Sequence, residues 1–125
     1  MAMPRSPLAA GAAARRGGSE PVVAMSLGFE RRDASRVELR GALVFASAAA
    51  AHAEGLRHFA AVAAGGGVDF DCAALSDADS AGLAVLIEWK AAARRRGVRL
   101  RYTALPDSLV RLARISDVER LLLAG

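Results

Sequence analysis

The 125 residues predict an α/β fold, a mixed sheet of about four to five strands covered by about four helices. Two observations carry this. After an initial hairpin-like pair, strand-like and helix-like segments alternate to the end of the chain, the order of an α/β domain. The supply of core residues, 31 Leu, Ile, Val and Phe diluted by 30 Ala, suffices for one compact domain and not for two. Strands joined by crossover helices run parallel, and such sheets ordinarily have both faces covered, which the available helices can do.

Residues 1–24 mix Pro, Gly, Ala and Arg without a sustained period and are expected to be a disordered tail, the domain running from 25 to 125. Gly28 to Arg32 and Arg36 to Phe45 read as two strands around the turn Asp33-Ala34-Ser35, with Val37, Leu39, Leu43 and Phe45 alternating against polar or small residues. Ser47 can cap a helix over Ala48 to Ala63, whose Leu56, Phe59, Ala60 and Ala63 share a face before Gly65-Gly66-Gly67 ends it. His52 and His58 fall on different faces of that helix. A short strand at Val68 to Cys72, a loop at Ala73 to Asp79, a helix from Ser80 to Arg96 stopped by Gly97, and a strand at Val98 to Tyr102 follow. After the turn at Pro106, Leu109, Leu112 and Ala113, then Val118, Leu121 and Leu122, have helical spacing.

Several function classes fall away. The longest stretch without a formal charge, Gly41 to Ala53, is 13 residues, short of the roughly 20 that cross a bilayer. One cysteine and two histidines make neither a disulfide framework nor a recognised metal-ligand spacing. Asp69, Asp71, Asp77 and Asp79 are better explained by strand alternation and helix capping than by a cation. The single lysine, Lys90, has no glycine-rich turn before it, and there is no G-x-S-x-G elbow, so neither P-loop nor nucleophilic chemistry is indicated. Net charge is +4, but residues 1–24 carry +2 of it, so the domain has no dominating phosphate-binding field. The cluster Arg94-Arg95-Arg96, with Arg99 and Arg101, reads first as a solvated helix C-terminus complementing the macrodipole. Its alternative readings are docking to a partner or to membrane headgroups, and nucleic-acid binding.

The most informative segment is Val68 to Trp89, VDFDCAALSDADSAGLAVLIEW. Asp79 or Ser80 can cap the helix that opens here. Ala81 to Ile87 contains no polar side chain, more apolar surface than one core-facing stripe needs. Leu83, Leu86 and Ile87 can enter the core. Val85, Trp89 and Ala92 then point elsewhere, to be covered by a neighbouring helix or by a second protein.

The DSAGL run at Asp79 to Leu83 resembles the STAS domain of anti-sigma factor antagonists and sulfate-transporter C-termini. GALVFASA at Gly41 to Ala48, the continuation to Trp89, RRRGVRLRYTALP at Arg94 to Pro106 and LVRLARISDVERLL at Leu109 to Leu122 are more specific. They resemble the MlaB-like STAS subunits of bacterial Mla phospholipid ABC transporters, over about residues 28 to 123. The resemblance implies a non-catalytic subunit that binds the transporter's ATPase in the maintenance of lipid asymmetry. The permease and lipid-binding subunits would be indirect partners, without cofactor, metal, nucleic acid or membrane insertion. It implies a cytoplasmic protein held at the inner membrane through the complex. Asp79, Ser80, Ala81, Gly82, Val85 and Trp89 would meet the partner, with Ser80 a candidate phosphoacceptor. The alternative implication is a phosphorylation-regulated anti-sigma factor antagonist.

Overall fold

The computed structural model describes residues 26–123; the expected tail at 1–24 lies outside them. The elements are β1 (Leu27–Asp33), β2 (Arg36–Leu43), α1 (Phe45–Ala60), β3 (Gly67–Ala78), α2 (Ser80–Arg95), β4 (Arg99–Thr103), α3 (Asp107–Ile115) and α4 (Glu119–Leu123). The sheet order is β1-β2-β3-β4, with β1 antiparallel to β2 and the two later pairs parallel. The expected hairpin forms, its turn held by Asp33 Oδ1, which accepts from the Ser35 backbone N–H and hydroxyl.

The order of strands decides where the core lies. Two successive right-handed crossovers stepping the same way across a sheet place their helices on the same face. Residues pointing to that face, including Val37, Leu39, Val68, Phe70, Cys72 and Leu100, are buried with Phe59, Leu86 and Trp89 of the helices. The opposite face is covered by no element among the described residues and is charged. Glu30, Glu38 and Asp71 stand in one cross-strand row there, and Arg36, Asp69 and Arg101 in the next. Like charges opposite one another destabilise a sheet. Arg32 and Arg40 offset this by both donating to Glu38 Oε1, at 2.5 and 2.6 Å, and their guanidiniums hold the Glu38 carboxyl below the usual range. The expectation that both faces are covered is thus corrected, since strict apolar-polar alternation lets parallel strands face water on one side.

Two boundaries also move. The expected loop from Ala73 is strand: β3 continues through Ala78, pairing Ala74 with Arg40 and Leu75 with Gly41. A register irregularity between Glu38 and Arg40 shifts the inward phase from Cys72 to Leu75, which breaks the alternation that would have shown a strand. Helix α1 begins at Phe45, and Ser47 is its third residue rather than its cap. The Ser47 hydroxyl accepts from the Val44 N–H at 3.0 Å and donates to the Ala42 carbonyl at 2.7 Å. The C-terminal helical pattern divides into α3 and α4 at Ser116–Asp117, where Asp117 takes a left-handed φ of 61°.

Candidate functional site

The C-terminal ends of β2 and β3 feed directly into α1 and α2, so both helices begin at the same pole of the molecule. Asp79 ties these beginnings together. Its Oδ1 accepts from the Gly82 N–H at 3.0 Å, capping α2, and its Oδ2 accepts from the Phe45 N–H at 3.1 Å, at the start of α1. Orphan donors at two helix N-termini are thereby satisfied by one carboxylate.

Gly82 makes this convergence possible. A Cβ there would lie 2.0 Å from the Leu43 carbonyl oxygen, so the first turn of α2 rests on the end of β2 with no room for a side chain. With Asp79 committed to two backbone donors and Gly82 buried, the next residue, Ser80, is left exposed at the first position of α2. Ala81 is half-buried, and Ala84, one turn on from Ser80, is exposed.

The same pole presents Phe45, 81% exposed, beside exposed Ala46. Phe45 was expected inside β2. The run Ala42-Leu43-Val44-Phe45 is continuously apolar where a half-buried strand alternates, and that break was the available sign that the strand had already ended. An apolar ring and a hydroxyl thus sit at the junction of two helix N-termini, whose partial positive charge favours a negative group. An exposed ring beside an exposed hydroxyl is a pair of groups suited to contact.

Val85 and Trp89 do not belong to this surface, which corrects their assignment to a partner. Val85 is 7% and Trp89 0% exposed. The cover is α1, which approaches so closely that a Cβ on Gly55 would lie 2.2 Å from the indole. Trp89 Nε1 donates to the His52 carbonyl at 3.1 Å, and the ring sits edge-on to Phe29, Phe59 and Phe70. The apolar excess of α2 is therefore spent within the chain. Ile87, assigned to the core, is only partly buried at its margin.

Other titratable groups are structural. Cys72 is buried and its thiol is pushed up to about 12 by desolvation and then by Asp71, which leaves it protonated and inert. His58 stacks on Phe29 at 5.2 Å, and its Nδ1 faces Arg31 at 3.2 Å. Burial, then Arg31, lowers its pKa. Lys90 donates to the Leu100 carbonyl at 2.8 Å, and the Tyr102 hydroxyl donates to the Leu86 carbonyl at 2.6 Å. Both bonds fasten α2 to β4. Among the described residues no helix is long and apolar enough to cross a membrane.

Comparison with known proteins places this geometry. A family model described as "Mlab, STAS domain" matches residues 28–124. Among solved structures, the anti-sigma factor antagonist SpoIIAA in its unphosphorylated form is similar, with a TM-score of 0.59 at 15% identity over 76% of this chain and 84% of that one. That likeness is one of fold. No curated protein is similar enough in sequence to count as a match.

Proposed function

From the premise that the chain belongs to the STAS domain family, matched by its MlaB model, we propose that it is an accessory subunit of an ABC-type phospholipid transporter. In this reading it docks on the ATPase subunit through the pole formed by Phe45 and Ser80 and supports that subunit's assembly or activity. STAS domains are generally non-catalytic binding domains, and the pole's exposed ring and hydroxyl suit that role. The observation that carries the reading is the exposure of Phe45, a large ring held 81% open beside an exposed Ser80 at two joined helix N-termini. Burying such a ring in a partner is worth about 1.5–3 kcal/mol. What supports the transporter partner, the role in lipid asymmetry and the placement at the inner membrane is the match to the MlaB branch of the family.

A phosphorylation-switched anti-sigma factor antagonist is the second reading, favoured by the exposed hydroxyl of Ser80 at a helix N-terminus. A phosphate there brings about −1.5 to −2 charges against roughly half a positive charge from the helix. Asp77 and Asp79 lie on the same short stretch, so a modified Ser80 repels an acidic partner, meets a desolvation penalty against an uncharged one, and needs arginines opposite it.

Titration calorimetry against the ATPase subunit of an ABC-type phospholipid transporter separates these. Phe45→Ala should weaken binding about 10- to 100-fold with an unchanged melt, Ser80→Glu should weaken it strongly, and Ser80→Ala only slightly. Equal affinities for all four proteins would remove the pole from the interface. Tighter binding by Ser80→Glu, or phosphate transfer to Ser80 by a neighbouring serine kinase, would favour the second reading.

A further inference from the structure

The end of the sheet opposite the Phe45–Ser80 pole has a different chemistry. Helix α2 finishes there with Arg94, Arg95 and Arg96, and β4 begins with Arg99, paired to Gly67 at the start of β3. All four arginines are exposed. Five other arginines are matched, Arg32 and Arg40 with Glu38, Arg57 with Glu54, Arg101 with Asp69, and Arg114 with Glu119. Arg31, Arg36, Arg111 and Arg120 make no ion pair among the described residues, but they are scattered over other elements rather than gathered at one end of the sheet. Among the described residues no carboxylate lies within ion-pair distance of Arg94, Arg95, Arg96 or Arg99. A helix C-terminus accounts for about half a unit of negative charge, so capping alone leaves most of this positive charge unexplained.

Small residues accompany the arginines at this end of the sheet. Ala63, Ala64, Gly65 and Gly97 are exposed beside them, and the connection before β3 is pinned to the entry of β4 by Gly65 N–H to Gly97 O at 2.7 Å and Arg99 N–H to Gly66 O at 2.9 Å. Arginine forks match the oxygens of phosphates as they do those of carboxylates, so the chemistry that fits this end is a broad anionic surface. Single-stranded nucleic acid is gripped by stacking, yet the strongly exposed aromatic ring, Phe45, is at the far pole. Duplex recognition places a helix or ribbon in a groove, whereas here α2 offers its carbonyl end.

We propose that this arginine-rich end is a docking surface for an anionic phospholipid bilayer, held by headgroup phosphates without insertion of apolar side chains. It stands independently of the ATPase reading, since it uses the opposite end of the sheet. Polar contacts at one end and an apolar ring at the other orient the molecule, with Phe45 and Ser80 facing away from the lipid.

Flotation of the full chain with vesicles of phosphatidylcholine containing 30% phosphatidylglycerol tests this. Binding is expected in 50 mM salt, falling steeply toward 300 mM, and absent on pure phosphatidylcholine. Each arginine at an anionic leaflet contributes about fivefold to partitioning, so Arg94→Ser/Arg95→Ser/Arg99→Ser should lose on the order of a hundredfold with an unchanged melt. Phe45→Ala should bind vesicles as the parent does, which separates this result from failure of the ATPase reading. Three results would each overturn the proposal: no binding to anionic vesicles, an equal loss in Arg111→Ser/Arg114→Ser/Arg120→Ser, or stronger and equally arginine-dependent retention of a 30-base-pair DNA.

Discussion

Substituting Gly82 by Ala adds one methyl group where the structure has no space for it. The new Cβ would stand 2.0 Å from the Leu43 carbonyl oxygen and 3.1 Å from Leu43 Cγ. A comfortable carbon-oxygen contact needs more than 1 Å of additional separation, and the obstacle is backbone, so α2 or the end of β2 must move. That movement strains both Asp79 hydrogen bonds, to Gly82 N–H and Phe45 N–H. Overpacking costs about 1–3 kcal/mol, and the two hydrogen bonds about 0.5–1.5 kcal/mol each if lost. Against this, Ala in a helix is favoured over Gly by about 1 kcal/mol. The balance is a destabilisation of roughly 1–5 kcal/mol, at about 4–8 °C in melting temperature per kcal/mol for a domain of this size. Urea denaturation of Gly82→Ala beside Gly28→Ala, whose added Cβ would meet only Arg40 O at 3.6 Å, reads the difference. If Gly82→Ala matched or exceeded the parent in stability, the close approach of α2 to β2, and the explanation of the glycine in DSAGL, would both be wrong.

Trp89→Ala should cost about 3–5 kcal/mol by opening the aromatic core, and the emission of this sole tryptophan should be blue-shifted and protected from iodide. Solvent-exposed emission would restore it to the surface. Cys72 should resist an aromatic disulfide reagent until the fold opens, so that its labelling rate in rising urea follows unfolding. Rapid labelling of the native protein would refute its burial. For His58 the folded pKa lies below its ordinary 6.5, so the neutral ring's contribution to stability is complete above pH 6.5 and is lost as pH falls from there toward the folded pKa. Between pH 7.5 and 5.5 the denaturation midpoint should drop in the parent and drop less in His58→Gln; parallel curves would show that the ring titrates alike in both states.

What the sequence showed plainly was whatever obeyed a local rule. The hairpin around Asp33-Ala34-Ser35 and the course of α2 from Ser80 to its stop near Gly97 follow from turn, cap and period, whereas the choice of Asp79 over Ser80 as the cap came only with the structure. What escaped depended on the third dimension. Val85 and Trp89 look superfluous on a helical wheel because the wheel omits α1, and only the Gly55 contact reveals how near that helix lies. Phe45 was misplaced because Val44 has no side-chain cap to mark the start of α1, which left the broken alternation over Ala42 to Phe45 as the one sign that the strand had ended. The open sheet face was missed because composition suggests how many helices there are, whereas the sense of each crossover decides where they lie.

The double cap of Asp79 also bears on the entropy of association. Phe45 and Asp79 are 34 residues apart in the chain, yet a single carboxylate sets the angle at which α1 and α2 leave the sheet. A partner meeting Phe45 and Ser80 together finds their spacing already settled, with little loop ordering left to oppose binding. Loosening that carboxylate, as in Asp79→Ala, would charge the ordering cost to the complex, so affinity would fall even though neither contacting side chain had changed.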